Sequence, residues 1–136
     1  KVMERAQQAG CLFPVLSHPT SIISPSAQLG TGTVLCAGSI VGTGAVLGTG
    51  CLLNTGSSVD HDCRLAEFVH VCPGAHLAGD VKVGAESWIG IGTAVIEGRT
   101  IGARSIIGAG SVVTRDLPDD VVAYGNPARI QKSRVN

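Results

Sequence analysis

Between Asn54 and His76 the chain gathers side chains able to move protons. The run Asn54-Thr55-Gly56-Ser57-Ser58-Val59-Asp60-His61-Asp62-Cys63 is followed by His70 and His76. An exposed imidazole titrates near 6.5 and accepts a proton at neutral pH. A carboxylate next to it, here Asp62, fixes its tautomer and raises its basicity if the turn lets the two touch. Base, orienting acid and an N–H aimed at a developing oxyanion together describe acyl transfer. Plainer readings stand beside this one. A His-Asp dipeptide is commonly a solvated turn, and His70, His76 and His18 can be surface or structural residues.

Placing these side chains depends on the pattern around them. Every sixth residue from Ile23 to Val113 is aliphatic (Ile23, Leu29, Leu35, Val41, and so on), without a skipped register. Four residues after each aliphatic stands a mostly small residue, such as Ala27, Thr33, Ser39 or Cys51, and glycine often follows the aliphatic directly. A period of six is neither the 3.6 of a helix nor the spacing of a sandwich. It predicts an all-β fold, a parallel β-helix of hexapeptide repeats, with one short strand and one corner per hexad. Three hexads close one turn of a triangular prism, so residues 18 apart stack at about 4.8 Å, and the repeat makes about five coils. The glycines are expected to serve corners that need positive φ.

That arithmetic decides which side chains meet. Asn54 stacks under Cys72 and His70 under Trp88, so Asn54 and His70 share one face on neighbouring coils. His61 lies half a coil from His70, on the opposite side of the prism, at a corner with Asp62. Gly79 stacks one coil above His61, and its bare N–H is placed to hold an oxyanion. If His61 and His70 act together they come from different subunits, which predicts an oligomer with shared sites, and a three-sided prism suggests a trimer. His76 is read as structural, since its face carries no other candidate.

The ends are less regular. Residues 1–20 are expected to be a remnant of an upstream domain plus linker, with a helix over Lys1 to Ala9 capped by Gly10 and a strand over Phe13 to Leu16. Residues 21–118 form the β-helix. Residues 119–136 form a C-terminal cap with a strand at Val121 to Ala123, a bend at Gly125 to Arg129 and a polar tail. Zero formal charge gives no electrostatic case for nucleic acid or a membrane surface. No apolar run approaches the roughly 18 residues of a membrane span. The five cysteines have neither a paired nor a zinc-like spacing, which fits small thiols in a reduced cytoplasm.

The Asn54–Cys63 run, with His70, the stretch Leu77-Ala78-Gly79-Asp80-Val81-Lys82-Val83-Gly84 and the closing Gly125-Asn126-Pro127-Ala128-Arg129, resembles the sugar acetyltransferases built on a left-handed β-helix. It is similar above all to the sialic-acid O-acetyltransferases and the nucleotide-4-amino-sugar N-acetyltransferases of bacterial surface-glycan pathways, from about Cys11 to Ile130. The resemblance implies left-handed winding, acetyl-CoA as co-substrate, no metal, and a homotrimer with sites between subunits. It implies His61 as general base with Asp62 raising its basicity, and Asn54 and His70 as substrate-binding residues. The cofactor-binding residues it implies are His70 near the acetyl end, the Gly79 amide on the thioester, and Ile91, Ala109 and Pro127 along the pantetheine arm. The acceptor is expected to be an amino group of a nucleotide-linked sugar, or alternatively a hydroxyl of sialic acid or a related sugar. Relatives carry an N-terminal nucleotide-binding domain, of which residues 1–16 look like the final helix and strand. Two other readings share the prism. A zinc hydratase similar to the γ-class carbonic anhydrases needs three converging histidines, and His61, His70 and His76 supply only the number. An ice-binding or structural solenoid needs a repeated Thr or Ser array on one flat face, which the sequence lacks.

Overall fold

The computed structural model describes residues 2–134. A short helix, α1 (Val2–Gln8), leads into seventeen two-residue strands, β1 (Leu16–Ser17) to β17 (Val112–Val113), and then β18 (Val121–Gly125) and β19 (Ala128–Ser133). The two-residue strands deal themselves in rotation onto three parallel sheets, the faces of a prism. The first face carries Leu16–Ser17, Val34–Leu35, Leu52–Leu53, His70–Val71, Trp88–Ile89 and Ile106–Ile107 and continues into β18, the second runs from Ile22–Ile23 to β17, and the third from Gln28–Leu29 to Thr100–Ile101. Registers such as Leu16↔Val34, His70↔Trp88, His76↔Ala94 and Lys82↔Thr100 are all 18 residues apart, as the hexads predict.

Why a hexad winds this way is visible in its positions. The aliphatic of each strand points inward, and from Leu35 to Val113 every one is buried. The small residue four places on is also buried, and its polar atom is satisfied by a carbonyl of the stack. Thr33, Ser87 and Thr93 donate to the carbonyls of Gly48, Gly102 and Gly108, and the Cys51 and Cys63 thiols do the same to Ala66 and Ala78 at 3.1 Å. Burying these groups unpaired would cost more than the hydrogen bonds return. All five cysteines are free, and burial pushes the Cys51 and Cys63 thiols up to about 11. They behave as small core residues rather than nucleophiles.

The glycines fall into two classes, which corrects their expected common role at corners. Left-handed φ occurs at the third residue after the aliphatic, as at Gly44 (φ 68°) and Asp62 (φ 60°). Glycines directly after the aliphatic are instead required by close stacking. A Cβ at Gly84 would stand 2.6 Å from the Cα of Ala103 in the coil above.

Both ends differ from expectation. The N-terminal strand is Leu16–Ser17, not 13–16, and it pairs with Val34–Leu35, so the prism begins one hexad early, before residue 21. With β18 added on the opposite end, the solenoid makes about six turns rather than five. α1 covers Val2–Gln8 and ends at Gly10 (φ 86°) as expected; Lys1 lies outside the described residues. After Val113 the offset drops from 18 to 16, in the pairs Ile101↔Leu117 and Ile106↔Val122. Carboxylates then replace missing carbonyls on the last coil: Asp116 accepts from the Thr100 N–H at 2.9 Å and Asp119 from the Ala103 N–H at 2.8 Å. The expected polar tail contains β19, which folds back antiparallel on β18 through a turn holding a cis Asn126–Pro127 bond. Pairing covers the edge that β18 would otherwise expose.

The stacking account is tested at Gly84. Gly84→Ala is expected to cost about 1–3 kcal/mol by overpacking the coil above. Urea unfolding measures it, and a loss under about 0.5 kcal/mol, ordinary for a surface change, would contradict the account.

Candidate active site

The corner between the second and third faces carries the base. His61 and Asp62 follow β8 (Ser58–Val59) and are mostly exposed, as the hexad phase requires. His61 Nδ1 and Asp62 Oδ2 are 3.0 Å apart. With a carboxylate as acceptor, Nδ1 carries the hydrogen and Nε2 keeps its lone pair for a proton. The Asp62 hydrogen bond raises the His61 pKa above the ordinary histidine value, with smaller contributions from the charges of Asp62, Asp60 and Glu97.

Two glycines make room for this pair. The Asp62 carboxylate lies across Gly44, one coil below, where a Cβ would stand 2.7 Å from Oδ1. The His61 ring lies across Gly79, one coil above, and a Cβ there would fall onto Cε1 and Nε2. The proton-accepting atom therefore sits against the residue whose amide the stacking arithmetic singled out. Among the described residues, no hydrogen bond occupies the Gly79 N–H.

The first face carries the second half. Asn54 and His70 meet there, with Nδ2 of Asn54 3.3 Å from Nε2 of His70. The Thr55 N–H donates to Asn54 Oδ1 at 2.8 Å, so the amide's NH2 is the end that faces His70. His70 Nε2 must then accept, leaving the hydrogen on Nδ1 as a donor for a ligand. Burial lowers the His70 pKa, which keeps the ring in that neutral form. Below one another in register, His70 and Trp88 stack with centroids 4.9 Å apart, and the Trp88 indole N–H donates to Cys72 Sγ. The tautomer of His70 was not read from the sequence. Its signal was the Asn-Thr pair, because an Asn beside a free backbone N–H orients its own amide.

Ile91 and Ala109 stand exposed at the corner after the first face, one coil apart, and Pro127 is exposed in the turn above them. His76 belongs to the second face, where its Nδ1 is 2.8 Å from Ser58 Oγ. Ser58, Asp60 and Glu97 share a groove with it, so that face is less bare than the sequence implied. A cavity of about 960 Å³ lies between α1 and the corner at Phe68 and is lined by none of the predicted site residues. His61, His70 and His76 stand on a corner and two different faces. Among the described residues, no three His, Cys, Asp or Glu side chains of one chain converge on a metal position.

Comparisons with known proteins place the chain among similar folds. Residues 80–115 match the family described as bacterial transferase hexapeptide (six repeats). The GDP-perosamine N-acetyltransferase of Caulobacter crescentus, solved as a histidine variant with CoA and GDP-perosamine, is 42% identical over 97% of this chain and 63% of its own, with a TM-score of 0.95. The acetyltransferase domain of PglB from Neisseria gonorrhoeae, also solved with acetyl coenzyme A, is 44% identical over 95% of this chain and 63% of its own. Its TM-score is 0.93. The galactoside O-acetyltransferase of Lactococcus lactis is 44% identical over 59 residues, 43% of this chain and 28% of its own length. The chain is thus a hexapeptide-repeat β-helix protein. Over nearly its whole length it is similar to the solved acetyltransferases above, of which it spans 63% of the length.

The His61–Asp62 contact has a direct readout. Asp62→Asn removes the charge that holds the imidazole proton, so the His61 titration midpoint followed by NMR is expected to fall. An unchanged midpoint would show that the two side chains do not interact in solution.

Proposed function

We propose that the chain is an acetyl-CoA-dependent acetyltransferase that acts on an amino group of a nucleotide-linked sugar. The observation that carries this reading is the His61 ring, with Nε2, lying across the side-chain-free face of Gly79, whose N–H makes no hydrogen bond among the described residues, in a chain so similar to transferases solved with CoA and an amino-sugar nucleotide. The residues fit the co-substrate. Ile91, Ala109 and Pro127 line one exposed edge along which an extended pantetheine arm lies, with the thioester at Gly79 and His70.

In the reaction, His61 Nε2 takes a proton from the acceptor amine as its nitrogen bonds to the thioester carbonyl carbon. Asp62 stabilises the imidazolium that results. The Gly79 N–H and the His70 Nδ1–H are placed to receive the carbonyl oxygen as it gains charge, in a setting that needs little reorganisation. The carbon–sulfur bond breaks, and the proton held by His61 passes to the departing thiolate. Asn54 fixes the His70 tautomer and keeps one N–H for the acceptor. Acylation of a cysteine is not invoked, since Cys63, beside His61 and Gly79 in the stack, and Cys72, beside His70 and Trp88, are buried and burial raises the pKa of both thiols.

His61 and His70 lie on opposite sides of one prism, so a complete site takes His61 from one subunit and the Asn54–His70–Trp88 cluster from its neighbour. A homotrimer meets that requirement with three equivalent interfaces. Trp88 is 50% exposed and Leu16 57% exposed on the first face of the single chain, apolar surface that such an interface would cover. Among the described residues no helix is long and apolar enough to cross a membrane, and we place the reaction in the cytoplasm with the acetyl-CoA pool. Transfer to a sialic-acid hydroxyl uses the same groups; an amine is favoured by the amino-sugar nucleotide bound in the similar perosamine enzyme.

His61→Ala is expected to lower kcat/KM by about 10²–10⁴-fold, the usual contribution of a general base, while acetyl-CoA affinity holds. Steady-state kinetics with calorimetric titration checks both. The wild-type rate should fall as pH drops through the raised His61 pKa, because only the neutral ring accepts a proton. Activity that survives His61→Ala would refute the assignment.

A further inference from the structure

One edge of the prism, where the first face turns into the second, aligns residues at the same hexad position in every coil. From the N-terminal end upward they are His18, Cys36, Asn54, Cys72, Gly90 and Gly108. Backbone bonds confirm the stack: the His18 N–H donates to Leu35, the Cys36 N–H to Leu53, the Asn54 N–H to Val71 and the Cys72 N–H to Ile89. On the reading proposed above, the upper half of this edge, beside Ile91 and Ala109, takes the pantetheine arm, and the thioester ends near Asn54 and His70. The acceptor amine must attack from the side the arm leaves open. That side is the lower half of the same edge, and its polar end is His18.

His18 is prepared for a ligand. The Thr20 N–H donates to His18 Nδ1 at 3.2 Å, so Nδ1 is unprotonated and the ring hydrogen sits on Nε2. The Thr20 hydroxyl, 2.9 Å from the same nitrogen, reinforces that tautomer, while its oxygen accepts from the Gly38 N–H at 3.1 Å. Among the described residues Nε2–H has no partner, and the side chain is exposed beside a groove of about 440 Å³ formed with Pro19, Cys36 and Ala37. Two coils separate it from Asn54, about 10 Å at the usual strand spacing. That distance suits a pyranose ring whose amine lies at Asn54 and whose anomeric phosphate lies at His18.

We infer that His18 is an acceptor-binding residue: its Nε2–H donates to an anomeric phosphate oxygen of the sugar nucleotide whose amine is acetylated two coils above. The inference rests on the transferase reading and adds the direction from which the acceptor enters. An N–H donor held in place by Thr20 discriminates the nucleotide-linked sugar from the free sugar, which has no phosphate at that point.

The test uses this chain with acetyl-CoA, and with GDP-perosamine and a UDP-linked 4-amino sugar as acceptors. His18→Ala is expected to raise the acceptor KM about tenfold, with kcat and the acetyl-CoA Kd within twofold of wild type. His18→Gln, which returns an N–H near the position of Nε2, is expected to recover part of the loss. An acceptor KM unchanged in His18→Ala overturns the inference alone, as does a loss shared equally by acetyl-CoA affinity, which marks a fold effect. Wild-type protein that binds acetyl-CoA yet acetylates neither acceptor overturns the acceptor class and this inference with it. Failure to bind acetyl-CoA overturns the transferase reading itself.

Discussion

Everything in this molecule depends on main-chain hydrogen bonds between coils whose residues stand in register 18 apart. Each coil can satisfy the next only if the three hexads beneath it keep their length, and that demand fixes the phase of every side chain. An inserted residue would turn each later aliphatic away from the core and each later corner away from its column. Position in the hexad therefore determines burial, exposure and stacking partner together. The site inherits its precision from this ladder: His61 meets Gly79, and Asp62 meets Gly44, because each pair is one coil apart. The His61–Asp62 pair proposed as the base sits on turns, yet it is held by a backbone as regular as a sheet, which is the support that a positioned base requires.

The two halves of the site are prepared by different means. At the corner, Asp62 sets the His61 tautomer through charge and leaves Nε2 as the acceptor. On the first face, a neutral amide does the corresponding work, since Thr55 orients Asn54 and Asn54 orients His70. The directions of the two pKa shifts follow from this contrast. His61 is exposed beside carboxylates and is raised, whereas His70 is half-buried against Trp88 and is lowered. A strong base opposite a neutral donor is the polarity that acyl transfer needs.

Much of this was legible in the residues because the repeat is arithmetic. The inward aliphatics, the faces of Asn54 and His70, the corner at His61 and the overlay on Gly79 all follow from counting in sixes and eighteens. What counting misses is whatever departs from it. The shortened offset after Val113 has no marker until Asp116 and Asp119 are seen replacing carbonyls. The strand Ala128–Ser133 alternates too few apolar residues to stand out, and it exists because β18 leaves an edge to pair. Leu16–Ser17 escaped because Ser17 occupies the position that every later coil gives to an aliphatic, where Leu16 also stays exposed. Side-chain tautomers lie deeper still, since they depend on single backbone N–H groups such as those of Thr20 and Thr55.

The central claim is that His61 and His70 complete one site only across two subunits. Mixing two inactive variants, His61→Ala and His70→Ala, after dissociation and reassembly tests it most directly. In a trimer with sites at its interfaces, random reassembly gives about a quarter of the sites one intact His61 and one intact His70, so activity should return to about a quarter of wild type. A mixture as inactive as its components, with subunit exchange verified by mass, would place both histidines in the same subunit's site and contradict the account.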